Sequence, residues 1–185
     1  GGDTVKTNYH SASPDQRWAY DLLVAPVMTG SSNLEDYGCF GKPVYAPVGG
    51  RVAKVVGDLP DEPGGQFTPN FENPTGNSVW IQPAQGGYLL LAHLKAGSVR
   101  VEAGEQVEEG QILGACGNSG NTSEPHVHMH YQAQDPNEYP NNFALGRPLG
   151  FHSHDGPSRP DGGIEVDGDD IHLIGDRIRH VGSEH

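Results

Sequence analysis

Val99–His130 reads VRVEAGEQVEEGQILGACGNSGNTSEPHVHMH. Glycine interrupts this stretch at Gly104, Gly110, Gly114, Gly117 and Gly120, and between the glycines lie short runs of Val, Ile and Leu. Val99-Arg100-Val101 and Gln106-Val107 flank a Glu-Ala-Gly-Glu turn, and Glu108-Glu109-Gly110 leads into Gln111-Ile112-Leu113-Gly114. Short β-prone runs bounded by glycine turns predict strands rather than helices. The stretch ends on His126, His128 and His130, one at every second position. On a strand, alternate side chains share a face. Imidazole is both the commonest side-chain metal ligand and the usual general base near neutral pH. One strand can therefore present a ligand and an acid–base group side by side, aimed by the Asn118-Ser119-Gly120 turn. The plain alternative is a histidine-rich surface strand.

The same pattern extends upstream. Residues 42–56 predict a strand, a tight turn at Gly49-Gly50 and a second strand, and Pro43–Val52 echoes Val99–Val107 in spacing. Ser78–Gln82 and Tyr88–His93 predict a hairpin around Gly86-Gly87. Residues 57–75 carry four prolines and no periodicity, so they predict a long surface loop. Residues 25–41 read as another loop. Residues 1–24 read as a strand, a turn at Ser11–Asp15 and a strand in which Trp18, Tyr20 and Leu22 alternate with Arg17, Ala19 and Asp21. Residues 135–160 predict a surface wrap in which His152 and His154 face solvent. A last hairpin is expected from Ile164-Glu165-Val166 and Ile171–Ile174 around Asp167-Gly168-Asp169. No convincing helix precedes residue 135. The expected architecture is an all-β antiparallel sandwich over residues 1–150, with residues 151–185 as a C-terminal extension, either a hairpin or a flexible tail.

Composition narrows the partners. The formal charge is −13, which argues against a nucleic-acid or anionic-membrane partner held through phosphates. No apolar run is long enough for a membrane helix. Cys39 and Cys116 are the only cysteines and form no paired-Cys zinc motif. They are either two buried thiols or one disulfide. A disulfide closing so long a loop adds about 4 kcal/mol in the chain-entropy model.

The order of these pieces resembles the lysostaphin-type zinc peptidases, the LytM family. Gly41–Pro47 followed by Gly50-Arg51-Val52 is similar to that family's first core hairpin, and Gly76–Ile81 to its next strand. Leu91-Ala92-His93-Leu94 resembles its Tyr-x-His-Leu motif, with leucine in place of the aromatic. The glycines from Gly104 to Gly120 match its glycine ladder, and Pro125-His126-Val127-His128 its His-x-His motif. The resemblance covers roughly residues 16–132. It implies a β-sandwich with a groove and zinc-dependent hydrolysis of peptide bonds in bacterial peptidoglycan. It also implies a monomer acting outside the cell or in the cell envelope. Asp21 and His128 are the implied zinc ligands. His93 and His126 are the implied non-ligand histidines, handling protons and the oxyanion.

One position departs from the pattern. Four residues before Asp21 the family has a ligating histidine, and here stands Arg17. A guanidinium stays protonated and cannot ligate zinc. Arg17 is instead expected to salt-bridge Asp21. A third ligand must come from elsewhere: His10 is the first choice and His130, where the family usually has Glu, the second. The competing reading is a metal-free pseudoenzyme that binds cell wall or activates an amidase. Lipoyl- and biotin-carrier domains share the paired-hairpin pattern, but neither Lys42 nor Lys54 sits in the exposed turn they require, and the histidine strand would go unexplained.

Overall fold

Burial sorts the predicted strands into layers. In a computed structural model, residues 10, 13–67, 69–138 and 143–151 are described, together with the backbone of strands 162–167 and 170–175. No α-helix occurs among the described residues; Leu34–Asp36 forms a single 3-10 turn. The strands are β1 (Tyr20–Leu22), β2 (Pro43–Tyr45), β3 (Gly50–Val56), β4 (Asn77–Gln82), β5 (Tyr88–Leu94), β6 (Gln106–Val107), β7 (Ile112–Ala115), β8 (Val127–Gln132), β9 (Gly146–Arg147), β10 (Gly162–Asp167) and β11 (Asp170–Gly175). A seven-stranded antiparallel sheet runs β1-β8-β5-β4-β3-β6, with β9 added to β8. β2 and β7 form a separate two-stranded layer, and β10 pairs with β11.

The main core lies between the two layers. Val52, Val79, Ile81 and Leu91 of the large sheet pack with Val44 and Leu113 of the small one. The opposite face of the large sheet carries a smaller cluster, Trp80, Leu90 and Ala92. Register continues that face across β8, because Leu90 lies opposite His130 and Ala92 opposite His128. The histidine row therefore stands on the sheet face turned away from the main core.

Several expectations need correction. The two strands of residues 42–56 exist but do not pair with each other: β2 pairs with β7, while β3 pairs with β4 and β6. Val99–Val101 is not a strand, and Gln106–Val107 pairs with Gly50–Arg51. Both errors share a cause. The apolar pattern locates residues that must be buried, as Val101 and Val107 are, without naming the strand that receives their backbone. In the N-terminal segment, Trp18 is not in a strand. Successive turns, with Ser13 N–H donating to His10, Gln16 N–H to Ser13 and Ala19 N–H to Gln16, hold the chain coiled until Tyr20. The hairpin expected at 78–93 forms as β4 and β5. Of the first expected strand, which runs through Asn8-Tyr9-His10 up to the turn at Ser11, only His10 is described, and it is not in a strand; His152 and His154 lie outside the described residues.

Cys39 and Cys116 form a disulfide, with Cα atoms 5.8 Å apart across a separation of 77 residues. Both ends are buried in the main core. The bond ties the loop before β2 to the segment that runs into the site, since Leu94 bridges Cys116 and Gly117 bridges His126. Replacing both cysteines by serine should lower unfolding free energy by about 4 kcal/mol. Urea denaturation of the variant beside the oxidised parent checks this. Two free thiols by mass spectrometry in protein made under oxidising conditions would contradict the pairing.

Candidate active site

Asp21 is where the site converges. β1 pairs with β8 so that Asp21 lies opposite His128. Oδ1 of Asp21 is 3.0 Å from His128 Nδ1 and 3.5 Å from His126 Nε2, and Oδ2 is 3.4 Å from His10 Nε2. Burial alone would raise the Asp21 pKa. The neighbouring His126 and His10 charges, with hydrogen bonds from His126 and His128, outweigh it and hold the carboxyl well below its usual range. His10 is itself buried, which lowers its pKa to about 4 against the pull of Asp21.

His10, Asp21 and His128 each offer one donor atom, all within 4.8 Å of one another. Zinc bonds of about 2.0–2.1 Å in tetrahedral geometry place donors roughly 3.4 Å apart. The separations from Asp21, 3.0 Å at Oδ1 and 3.4 Å at Oδ2, lie near that value, while the trio as a whole spreads to 4.8 Å, so the donors close in by about an ångström on a bound ion. Two imidazoles and a carboxylate form a three-ligand set of the kind that leaves a fourth position open. The donor chemistry fits the metal that the motifs imply. His130, the second-choice ligand, lies behind His128: its Nδ1 is 3.0 Å from His128 Nε2, the nitrogen turned away from Asp21.

Arg17 does not pair with Asp21. It is exposed, and its guanidinium lies 5.7 Å from the centroid of the Trp18 ring. The expected salt bridge fails because residues 13–19 are coiled, so Arg17 and Asp21 do not share the face of one strand.

His93 reaches the site through a backbone irregularity. Strict alternation along β5 would put His93 on the side of Leu91, in the main core. Between Leu91, opposite Val79, and Leu94, opposite Asn77, β5 holds one residue more than β4, which is a bulge. His93 sits there with φ +61, a left-handed conformation rare for a residue with a Cβ. Its ring consequently lies 4.7 Å from that of His126 and 5.9 Å from that of His128, centroid to centroid. Nδ1–H donates to the Ser119 carbonyl at 2.8 Å, which leaves Nε2 as the lone-pair nitrogen. Burial, then the nearby His126 and His128, push the His93 pKa well down.

His126 is held the same way. Its Nδ1 lies 2.8 Å from the Glu124 carbonyl, which can only accept, so Nε2 faces Asp21. Burial lowers the His126 pKa, but the Asp21 charge and hydrogen bond prevail and raise it.

A buried polar network beneath these rings went unread in the sequence. Ser119 Oγ donates to the Leu94 carbonyl and accepts from Asn77 N–H, and Asn77 Nδ2 also donates to Leu94. Thr122 Oγ1 donates to the Glu124 carbonyl that holds His126. Gly76, at φ +58, lies so close to Ser119 that a Cβ would collide with its carbonyl. The only sequence signal was the Asn118-Ser119-Gly120 turn, which marks a bend and not a pair of imidazole acceptors.

Buried neutral histidines set the acid response. The His130 pKa falls to about 3, by burial first and the neighbouring His128 second. A folded pKa below the unfolded 6.5 leaves stability intact above that value and removes it as pH falls toward the folded pKa. His10 acts in the same direction down to about 4. His126, with its raised pKa, acts oppositely. In metal-free protein, His130→Asn should flatten the fall in stability between pH 6 and 4 by about 1.4 kcal/mol per pH unit. Urea midpoints across that range check it; an unchanged slope would contradict it.

Residues 35–140, more than half of the chain, match the model of Peptidase family M23. A search of curated proteins returns no match. Among solved structures, the chain is similar to a variant of the catalytic domain of the prophage-encoded M23 protein EnpA from Enterococcus faecalis. That likeness has 22% identity and a TM-score of 0.44, covering 70% of this chain and 85% of that one. The catalytic domain of the antimicrobial peptidase lysostaphin from Staphylococcus simulans aligns at 18% identity and TM-score 0.42, covering 75% and 91%. A putative glycyl-glycine endopeptidase lytM from Ruminococcus gnavus aligns at 20% identity and TM-score 0.42, covering 69% and 42%. With the family model spanning the strands from β2 to β8, the chain belongs to peptidase family M23.

Proposed function

We propose that the chain is a zinc-dependent endopeptidase that cleaves peptide bonds in bacterial peptidoglycan. In this reading Asp21, His128 and His10 hold the metal, and His93 and His126 serve the reaction. The observation that carries it is the position of His10. The chain lacks a histidine four residues before Asp21, yet a buried imidazole reaches the Asp21 carboxylate from an earlier turn. A chain that had abandoned metal binding has no chemical need for that replacement.

Bound zinc supplies Lewis acidity, which lowers the pKa of a bound water to about 7 and polarises a carbonyl. The chain's own contribution is orientation. His93 and His126 each have Nδ1 committed to a backbone carbonyl, so each has Nε2 left for the reaction. His93 suits the role of proton acceptor at Nε2. His126 suits donation from Nε2 to the oxygen that gains charge as the peptide carbonyl is attacked. The bond between Cys39 and Cys116 supports an oxidising location, outside the cell or in the envelope. No helix among the described residues is long and apolar enough to cross a membrane. The net charge of −13 supports a partner other than nucleic acid. Catalysis needs only this one set of residues, so a monomer suffices. The reading takes residues 1–150 as the peptidase domain and 151–185 as an extension.

Wild-type protein should hold about one zinc per chain and release peptides from purified cell walls. His128→Ala and Asp21→Asn should lose both. His10→Ala should weaken zinc by at least about tenfold, as loss of a supporting ligand does. His93→Ala and His126→Ala should keep zinc and lose about 10²–10⁴ in turnover. Metal analysis beside a peptide-release assay reads each. Wild type without zinc or release would instead favour the cell-wall-binding module. Full zinc in His10→Ala would remove His10 as ligand and leave the peptidase reading standing.

A further inference from the structure

Behind His128 a chain of hydrogen bonds runs along one face of β8. His128 Nε2 lies 3.0 Å from His130 Nδ1, and His130 Nε2 lies 3.2 Å from Gln132 Oε1. Gln132 Nε2 donates to the Gln134 carbonyl at 2.8 Å. His128, His130 and Gln132 are at most 5% exposed.

The direction of every proton in this chain follows from its far end. A backbone carbonyl only accepts, so the Gln134 oxygen must face the Gln132 NH2 group. That turns Gln132 Oε1 toward His130, whose Nε2 must then carry hydrogen. A neutral imidazole has one donor and one acceptor, so His130 Nδ1 is bare and accepts from His128. The partners of His130 in this chain, an amide oxygen and an imidazole, are neutral and give it no reason to hold a second proton. His128 therefore donates from Nε2 to His130, and a cation beside Asp21 finds its His128 ligand at Nδ1, the nitrogen 3.0 Å from Asp21 Oδ1. The reverse polarity would leave His128 Nε2 bare, so that a cation taking Nδ1 would find no hydrogen on the far nitrogen of the ring. It would also set Gln132 Oε1 against either the bare His130 Nε2 or the Gln134 carbonyl, two acceptors face to face.

We propose that Gln132, acting through His130, is a positioning residue that keeps hydrogen on His128 Nε2 and so orients His128 to meet a metal ion at Nδ1. This rests on the reading of His128 as a ligand. The side-chain hydrogen bonds of Gln132 go to His130 and Gln134 rather than to the donor set, yet through His130 it sets which His128 nitrogen carries hydrogen. The partner of His128 is an imidazole whose own tautomer must first be set, so two residues do what a single carboxylate could do alone.

The test uses the full chain. In metal-free wild type, two-dimensional 1H–15N spectra of the imidazole nitrogens should show His130 protonated at Nε2 and bare at Nδ1, with His128 protonated at Nε2. Hydrogen on His130 Nδ1 would overturn the proposal whatever the metal does. Gln132→Met keeps the length of the side chain and removes the acceptor. It should weaken zinc about 10–100-fold with the circular dichroism unchanged, and should shift His128 toward the Nδ1-protonated form. Unchanged zinc affinity with an unchanged His128 spectrum would also overturn it. If the variant does not fold, the wild-type spectrum decides alone. A wild type that binds no zinc while showing the stated protonation would sink the metal-centre reading and leave the proton assignment in place.

Discussion

A half-buried carboxylate, ringed by imidazoles, governs this site. Taking an ion out of water costs several kcal/mol after relaxation, and the cost is recovered only where opposite charge and hydrogen bonds surround it. Asp21 is placed opposite His128 by the antiparallel register of β1 with β8. Three imidazoles from two parts of the chain then close on its two oxygens. Removing the carboxylate would take away the acceptor that His10 Nε2 faces, and moving the register by one residue would send it to the opposite face. The same crowding that stabilises the anion creates the donor set for a divalent cation.

The rest of the fold serves that arrangement by keeping its two faces distinct. The main core binds the large sheet to the β2–β7 layer and leaves the Trp80–Leu90–Ala92 face for the histidines. The bulge in β5 is the exception to alternation that moves His93 from one face to the other. Its left-handed backbone is held by Thr75, which accepts from His93 N–H, and by Gly117, which donates to the His93 carbonyl. The disulfide fixes the neighbouring segment from the core side. Local strain at His93 thus coincides with dense support around it, as expected of a backbone outlier that persists.

Much of this was legible because its signals are periodic. Alternate histidines at 126, 128 and 130 gave one face of one strand, and glycine punctuation gave an all-β fold. What stayed hidden depends on contacts distant in sequence. The pairing partners of β2 and β6 are decided by layer packing, which short Val-containing runs do not encode. The turn of His93 depends on a one-residue mismatch between two strands, and no residue type announces it. Arg17 was placed wrongly because Trp18, Tyr20 and Leu22 mimic strand alternation inside a coiled segment. The role of Gln132 is invisible in sequence, since it acts only through the tautomer of a histidine two residues away. The comparison that identifies the family rests on the segment from β2 to β8, so the N-terminal residues that complete the donor set lie outside it.

The central claim is that His10, Asp21 and His128 close on a single metal ion. Anomalous diffraction at the zinc edge, from crystals of the full chain grown with zinc, tests it most directly. The account predicts one strong peak about 2.0–2.2 Å from a nitrogen of His10, an oxygen of Asp21 and Nδ1 of His128. A peak that excludes His10, or no peak beside Asp21, would contradict it.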